Sequence, residues 1–144
     1  MKEQSYENHT RYHPLQHFIW LPLSAITVVS ALIYTFLSIK NGAFTLSVFL
    51  ILALVAMSFI AGALVRINSL VLQNRIIRTE EQFRYYVLTN EPINPRLSTE
   101  QLIALRFASD EEFPALAKKA AETGMSPDEI KKAIQTWRPD HHRV

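Results

Sequence analysis

The sequence predicts an all-α fold: a transmembrane helical hairpin, a long cytoplasmic extension of its second helix, and a small C-terminal domain of three helices. Three observations predict it. Two apolar runs, residues 18–39 and 44–65, contain no Asp, Glu, Lys or Arg. Residues 66–89 contain no Gly or Pro and alternate good helix formers with charges. Three Ser-initiated sequences typical of helix starts then follow.

Both apolar runs have the length of a bilayer. Each run has 22 residues, and a hydrocarbon core about 30 Å thick needs about 20 residues of α-helix. The connector, residues 40–43, is short, so the two helices form a hairpin. The first run is longer than the apolar core of a signal peptide, and no small-x-small cleavage motif follows it. We therefore expect it to be retained as transmembrane helix 1.

The overall composition excludes some chemistries and leaves others open. There are no cysteines, which excludes disulfides, thiolate metal sites and cysteine nucleophiles. The net charge of +2 is too small to indicate nucleic acid or anionic lipid by charge alone. The sequence has no nucleophile elbow, P-loop, dinucleotide fingerprint or HExxH motif. It therefore predicts a non-enzymatic protein without a cofactor.

The distribution of Lys and Arg predicts the orientation. Lys2 and Arg11 precede the first run, and the connector holds only Lys40. Four arginines follow the second run: Arg66, Arg75, Arg78 and Arg84. Because positive residues accumulate on the cytoplasmic side, both termini should be cytoplasmic and the connector external.

The N-terminal segment, residues 1–17, carries three histidines four residues apart. His9, His13 and His17 would share one face of a helix and are the candidates for metal binding or pH sensing. Pro14 disfavours a helical conformation at His13, and no carboxylate or cysteine completes the ligand set. The sequence favours polar residues beside the membrane, with Trp20 in an aromatic belt.

Small residues in the two apolar runs predict close helix packing in the membrane. They are Thr27, Ala31 and Thr35 in the first run and Ser58 and Gly62 in the second. Small side chains let helix backbones approach in lipid, either within the hairpin or between two copies. No ionisable residue lies inside either run, which argues against a proton relay or an ion pathway.

The second helix should continue as a cytoplasmic stalk, residues 66–90. Leu72, Ile76, Phe83 and Val87 form an apolar stripe at helical spacing. The helix should end near Asn90 because two prolines follow. The stripe is short and irregular for a coiled coil. It either packs on the C-terminal helices or contacts a partner chain.

A linker, residues 91–97, leads to the small helical domain, residues 98–144. Capping boxes at Ser98, Ser109 and Ser126 predict three helices. The first should reach about residue 107. The second should run over 114–123 and stop at Gly124, and the third should reach Trp137, which would pack on the helix before it.

The segment around Gly124 has the spacing of a helix-turn-helix unit. Ala120, Gly124, Met125 and Ile130 place a tight turn between two helices, with an apolar anchor in the second. Residues 91–144, however, contain 8 Lys or Arg and 9 Asp or Glu. A DNA-binding module needs a basic face, so nucleic acid is an unlikely partner.

Three segments of the chain have distinctive sequences. The first contains Asn8-His9, Pro14 and His17-Phe18, and the others are residues 103–114 and residues 129–137. With them, nearly the whole chain resembles an uncharacterised family of small bacterial two-span membrane proteins. The resemblance implies a multi-pass protein of the bacterial inner membrane and supports the hairpin topology. It carries no assigned activity and no functional residues.

The sequence favours a membrane anchor that presents a helical interaction surface to the cytoplasm. The candidate surface consists of Leu72, Ile76, Phe83, Val87 and Trp137. Beside the lipid bilayer, the expected partner is another protein or a second copy, so that the chain acts as an accessory subunit or self-assembles. The alternatives are a metal- or pH-responsive sensor using the three histidines and a membrane-tethered helix-turn-helix regulator.

Overall fold

The computed structural model describes residues 5–7 and 13–140, which are helical apart from turns, connectors and one isolated β-bridge. A π-helical segment, Leu15–Trp20, leads into α1. The α-helices are α1 Leu21–Lys40, α2 Leu46–Thr89, α3 Thr99–Leu105, α4 Phe113–Thr123 and α5 Pro127–Ala133. The all-α prediction, with two long apolar helices and shorter C-terminal helices, is confirmed.

The chain divides into two compact units. The hairpin unit consists of the described residues within 12–69. The small-domain unit consists of the described residues within 1–11 and 70–144. Helix α2 begins in the hairpin unit and ends in the small-domain unit.

The first helical segment begins earlier than predicted, at Leu15 instead of Phe18. Pro14 lies at its N-cap with helical backbone angles. Because the first N–H groups of a helix have no intrahelical acceptor, a proline there starts a helix without losing a hydrogen bond. At the other end α1 stops at Lys40, Gly42 adopts a positive φ of 63°, and α2 starts at Leu46. The connector is therefore residues 41–45, not 40–43.

Both long helices of the hairpin unit are apolar and exposed. In their most apolar windows only 11% and 6% of the residues are buried. A core helix of a water-soluble protein would be mostly buried, because exposed apolar area costs about 25 cal/mol per Å² in water. The two helices are thus long and apolar enough to span a membrane, and their exposure is what a lipid environment allows.

The small-domain unit has a closed apolar core built from the linker, the three short helices and the segments that join them. Its buried members are Ile93, Leu97, Leu102, Ala104, Leu105, Phe107, Ala108, Phe113, Leu116, Ala117, Ala120, Ile130 and Ile134. Two capping boxes begin α3 and α5. Ser98 and Gln101 satisfy each other's backbone N–H groups, as do Ser126 and Glu129. The predicted starts of these two helices are confirmed.

Two predictions about this domain are wrong. Ser109 does not form a capping box, since α4 begins at Phe113 with no side-chain cap, and α5 ends at Ala133 instead of Trp137. Both differences have one cause. Residues 134–140 leave α5 and run beside residues 107–109, with an antiparallel bridge between Ala108 and Trp137.

Hydrogen bonds fix this return segment. The N–H of Ser109 donates to the carbonyl of Thr136 at 3.1 Å, and the N–H of Arg138 donates to the carbonyl of Phe107 at 2.7 Å. The Glu112 carboxylate accepts the N–H groups of residues 135 and 136 at 3.1 and 2.6 Å. Glu112 therefore holds the beginning of the return segment, and its carboxylate is not used for the predicted box with Ser109.

Candidate interaction surface

The apolar stripe predicted on the extension of α2 is exposed. Leu72, Ile76, Phe83 and Val87, here called the α2 stripe, have exposed fractions of 57–68%. The sequence left two alternatives for these side chains, packing on the C-terminal helices or contact with a partner chain. The side chains do not pack on the C-terminal helices. By contrast, no large apolar side chain is exposed in residues 89–140, all of which the structure describes. The α2 extension thus exposes large apolar side chains, and residues 89–140 do not.

The opposite face of α2 packs on the small domain. Ile77 and Glu81 are both buried. At 100° per residue, Glu81 lies about 150° around the helix from the midline of the α2 stripe. One face of the extension is therefore used by the fold, and the other is left open.

Arg84 contacts Glu81 of its own helix and three groups of the small domain, and these three hold α2 to the domain. Its guanidinium pairs with Glu81 at 3.0 Å and with Asp110 at 2.6 Å. The same group donates to the carbonyl of Ala108 at 2.7 Å and lies 4.5 Å from the centre of the Phe113 ring. A guanidinium can do this because it carries five donors in a rigid plane with a flat face for stacking.

Tyr85 adds an apolar contact beside this ion pair. Its ring meets Phe113 edge-on, with 5.8 Å between the centroids, and it packs against the domain core. Because Arg84 and Tyr85 are adjacent on α2, together they fix the rotation of the helix relative to the domain. The α2 stripe is directed away from the domain as a result.

Glu81 is a buried carboxylate that accepts a hydrogen bond from one arginine, Arg84. Burial raises its pKa above the ordinary value of 4.5, and the hydrogen bond and charge of Arg84 oppose this shift. Burial removes water from the ionised form, and a single partner does not replace that hydration fully. The contact between α2 and the domain therefore contains a pH-sensitive group.

A second buried arginine holds the return segment. Arg106 pairs with Asp140 at 2.9 Å, and its guanidinium lies 3.9 Å from the centre of the Phe107 ring. It also donates to the carbonyl of Ile103. Neither Arg84 nor Arg106 is recognisable from the sequence as a structural residue. The available signal is that Arg84 lies outside the apolar stripe, about 90° around α2 from its midline.

Trp137, predicted as part of the interaction surface, lies elsewhere. Its ring packs on Phe107, with 5.0 Å between centroids, and it borders the domain core beside the return segment. It packs against the core and is not on the α2 stripe. The candidate surface is therefore the α2 stripe alone.

The residues predicted to pack in the membrane separate into two groups. Ala31 is buried and Thr35 is half-buried, whereas Thr27 and Ser58 are exposed. Thr27 turns its hydroxyl back to the carbonyl of Leu23 at 2.8 Å. Thr27 and Ser58 are therefore not at a close helix contact within the hairpin unit.

Gly62 lies against an aromatic residue that the sequence placed at the membrane surface. A Cβ at Gly62 would come closer than 3.0 Å to the indole ring of Trp20. Trp20 in turn stacks on Phe59, with 5.9 Å between the centroids. The small residue at position 62 is thus explained by a contact with a side chain inside the hairpin unit.

The structure does not gather the histidines into a metal site among the residues it describes. His9 lies outside the described residues and His13 is exposed. The Nδ1 atom of His17 lies 3.0 Å from the backbone carbonyl of His13. Within residues 5–7 and 13–140, no group of three His, Asp or Glu side chains is arranged to hold a metal ion.

The turn at Gly124 belongs to the domain core. Gly124 has a φ of 66°, which favours glycine. Ala120 and Ile130, on the two sides of the turn, are fully buried. On the surface of α5, Asp128 pairs with Lys132 at 2.7 Å and accepts the hydroxyl of Tyr6 at 2.7 Å. That hydrogen bond raises the pKa of Tyr6.

The fold and the surface define an all-helical protein with two helices of membrane-spanning length and a small C-terminal domain that orients an open apolar stripe. All of the chain, residues 1–144, matches a family described as a family of unknown function (DUF6526). The chain belongs to that family, so the predicted resemblance to an uncharacterised family is confirmed. No curated protein and no solved structure matches it.

Proposed function

We propose that this chain is a non-enzymatic integral membrane protein that presents the α2 stripe to a protein partner in the cytoplasm. The observation that carries the proposal is the contrast in exposure within the small-domain unit. Phe83 of the stripe is 68% exposed, whereas Phe107 and Phe113 in the core are 1% and 0% exposed. The small-domain unit buries its two other phenylalanines almost completely and leaves Phe83 open.

The energetics favour a partner for the stripe. Burying one large apolar side chain contributes about 1.5–3 kcal/mol relative to leaving it in water. Contiguous apolar patches on a protein surface are typical of binding sites. Four such side chains on one helix face are sufficient for a specific helix–helix contact.

The surroundings of the stripe favour a protein partner over lipid. Arg75, Arg78 and Glu80 lie on the same two turns of α2 and are exposed. Charged side chains are costly in the hydrocarbon core, so this part of α2 belongs in water. The hairpin unit, with no charge in residues 18–39 or 44–65, serves as the anchor.

The distribution of positive residues supports an orientation with both termini in the cytoplasm, and the family resemblance supports the bacterial inner membrane as the location. Single cysteines would test this orientation, since the chain has none of its own. With Asn41→Cys in intact cells, we expect labelling by a membrane-impermeant maleimide. With Arg96→Cys, labelling should require permeabilised cells. Labelling of the second variant in intact cells would contradict the orientation.

Site-specific photo-crosslinking in native membranes would test the surface. A photoreactive amino acid is placed at Ile76, at Phe83 and, as the control on another side of the same helix, at Arg78. Adducts are expected from positions 76 and 83 and not from position 78. Equal yields at all three positions, or no adduct at positions 76 and 83, would contradict the proposal.

A further inference from the structure

We infer that the partner of the α2 stripe is a second copy of this chain, and that the two α2 extensions pair as a short parallel coiled coil. This inference rests on the proposed function and names the partner for the same surface. Three observations support it: the spacing of the exposed residues, the hydrogen bond made by the hydroxyl of Thr79 among them, and the charges of the residues beside them.

The exposed residues follow the spacing of a coiled-coil seam. Leu72, Ile76, Thr79, Phe83 and Tyr86 are separated by four, three, four and three residues, and all five are exposed. This is the alternation of d and a positions in a heptad repeat, with Ile76 and Phe83 at a. Val87, at the flanking e position, widens the apolar seam.

The polar member of the seam does not oppose burial. The hydroxyl of Thr79 donates to the carbonyl of Arg75 in its own helix at 3.1 Å. Covering Thr79 with a second helix therefore leaves no donor unsatisfied, and its methyl group remains available for packing. The seam can therefore be dehydrated at Thr79 without the loss of a hydrogen bond.

The charges beside the seam complement those of a second copy. In this register Arg75 occupies a g position and Glu80 the following e position. In a parallel pair, g of one helix faces the next e of the other. Arg75 of each chain would therefore meet Glu80 of the other, which gives two equivalent ion pairs related by two-fold symmetry.

The small domain leaves room for this pairing. Its contacts to α2 use Arg84 and Tyr85, at b and c positions, and the buried Ile77 and Glu81 fall at b and f positions. Those positions lie away from a and d, so the domain and a second helix can occupy α2 together. Anchoring of both chains in the same membrane also keeps the two helices parallel and raises their effective concentration. A helix pair this short requires such a high effective concentration.

Single-cysteine cross-linking of the full chain in native membranes tests the seam, because the natural sequence contains no cysteine. With Ile76→Cys and with Phe83→Cys, a mild oxidant should produce disulfide-linked dimers. The matched control, Arg78→Cys at a c position, should cross-link at least about tenfold more slowly, since thiols there lie on the outside of a coiled coil. Equal rates for the three variants would overturn the inference.

Charge exchange tests the register and the orientation. Arg75→Glu and Glu80→Lys each place like charges across the seam in a homodimer. Differently tagged chains carrying one change each should form mixed pairs in preference to homodimers, by about tenfold for two exposed ion pairs. A chain carrying both changes should pair with itself again. Random mixing of the single variants would overturn the proposed contact.

The two proposals can fail separately. Photo-adducts at positions 76 and 83 that contain a different polypeptide, with no disulfide dimer, would overturn the second-copy inference and leave the interaction surface supported. Absence of both the adducts and the disulfide dimers would overturn both proposals. Dimers formed equally well after Phe83→Glu would place the dimer contact outside the stripe and overturn the inference.

Discussion

The hairpin unit and the small domain treat the same kinds of side chain in opposite ways. Phe36 and Leu46 in the hairpin unit are 66% and 72% exposed, whereas Phe113 and Leu105 in the small domain are completely buried. Apolar surface exposed to this extent costs free energy in water and none in apolar surroundings. The comparison teaches that residue type alone does not show whether an apolar side chain is covered by its own fold or left open to its surroundings.

The α2 stripe belongs to one unit by position and resembles the other by exposure. Phe83 is as open as Phe36, yet it is separated from Arg84 by a single peptide bond. One of these neighbours faces away from the domain, and the other holds the helix to it. The following experiments vary this contrast, beginning with the largest expected effect.

Phe113→Ala should destabilise the small domain by about 3–5 kcal/mol, because it removes a fully buried ring. The matched control is Phe83→Ala, an identical chemical change on the exposed stripe. In dilute detergent, where association is disfavoured, the control should change the free energy of unfolding by about 0.5 kcal/mol or less. Denaturant titration monitored by Trp fluorescence provides the measurement, and equal losses would contradict the contrast.

Arg84→Ala should destabilise the contact between α2 and the small domain by about 2–4 kcal/mol, since it leaves the buried Glu81 without its partner. Arg78→Ala, at an exposed arginine of the same helix, should have an effect of about 0.5 kcal/mol or less. Hydrogen exchange of the amides of residues 77–89 would detect the difference. Unchanged protection after Arg84→Ala would show that the ion pair does not hold the helix.

Gly62→Ala should cost about 1–3 kcal/mol in the hairpin unit, because the added methyl overlaps the Trp20 ring. Ser58→Ala, at an exposed position, is the control and should be nearly neutral. In a Trp137→Phe background, the emission of Trp20 should shift only for the first variant. Identical spectra for both variants would mean that Trp20 does not rest on Gly62.

Ser98→Ala should cost about 1 kcal/mol, because it removes the N-cap of α3. The same change at Ser109, which caps no helix, should cost about 0.5 kcal/mol or less. Thermal unfolding of the full chain compares the two. An equal effect would indicate that Ser109 also stabilises a helix start.

Glu81→Gln should change how stability depends on pH. The pKa of Glu81 is raised in the folded state, so the folded protein binds more protons than the unfolded one and loses stability as pH rises above 4.5 through that pKa. Because glutamine does not ionise, the variant should not lose stability over this pH range, although its hydrogen bond to Arg84 is weaker. Arg138 and Glu80 also act on this carboxyl.

The control for this pH experiment is Glu122→Gln, at an exposed position of α4. Its stability should follow the natural protein across the same pH range. Parallel curves for the natural protein and Glu81→Gln would contradict the effect of burial on Glu81.

The sequence is sufficient for features that short-range chemistry decides. Apolar length predicts α1 and the start of α2, and the prolines after Thr89 predict the end of α2. The boxes at Ser98 and Ser126 each require only residues within one turn. These elements form as predicted because no distant segment competes for the same groups.

The failures come from contacts between distant residues. The sequence at Ser109 satisfies the local rule, but residues 135 and 136 use the carboxylate of Glu112. Trp137 continues a helical pattern, but pairing with Ala108 draws it into an extended conformation. The helical spacing of the stripe can be recognised in the sequence. Its exposure, however, depends on Arg84, whose partner Asp110 is 26 residues away in the sequence.

The return segment also has a consequence for the order of events during synthesis. Helices α3 and α4 are translated before Trp137, Arg138 and Asp140, which complete the core against residues 106 and 107. Until residue 140 has left the ribosome, Phe107 lacks its aromatic cover and Arg106 lacks its counter-ion. The apolar helices of the hairpin unit, by contrast, are translated before any residue of the small domain's core.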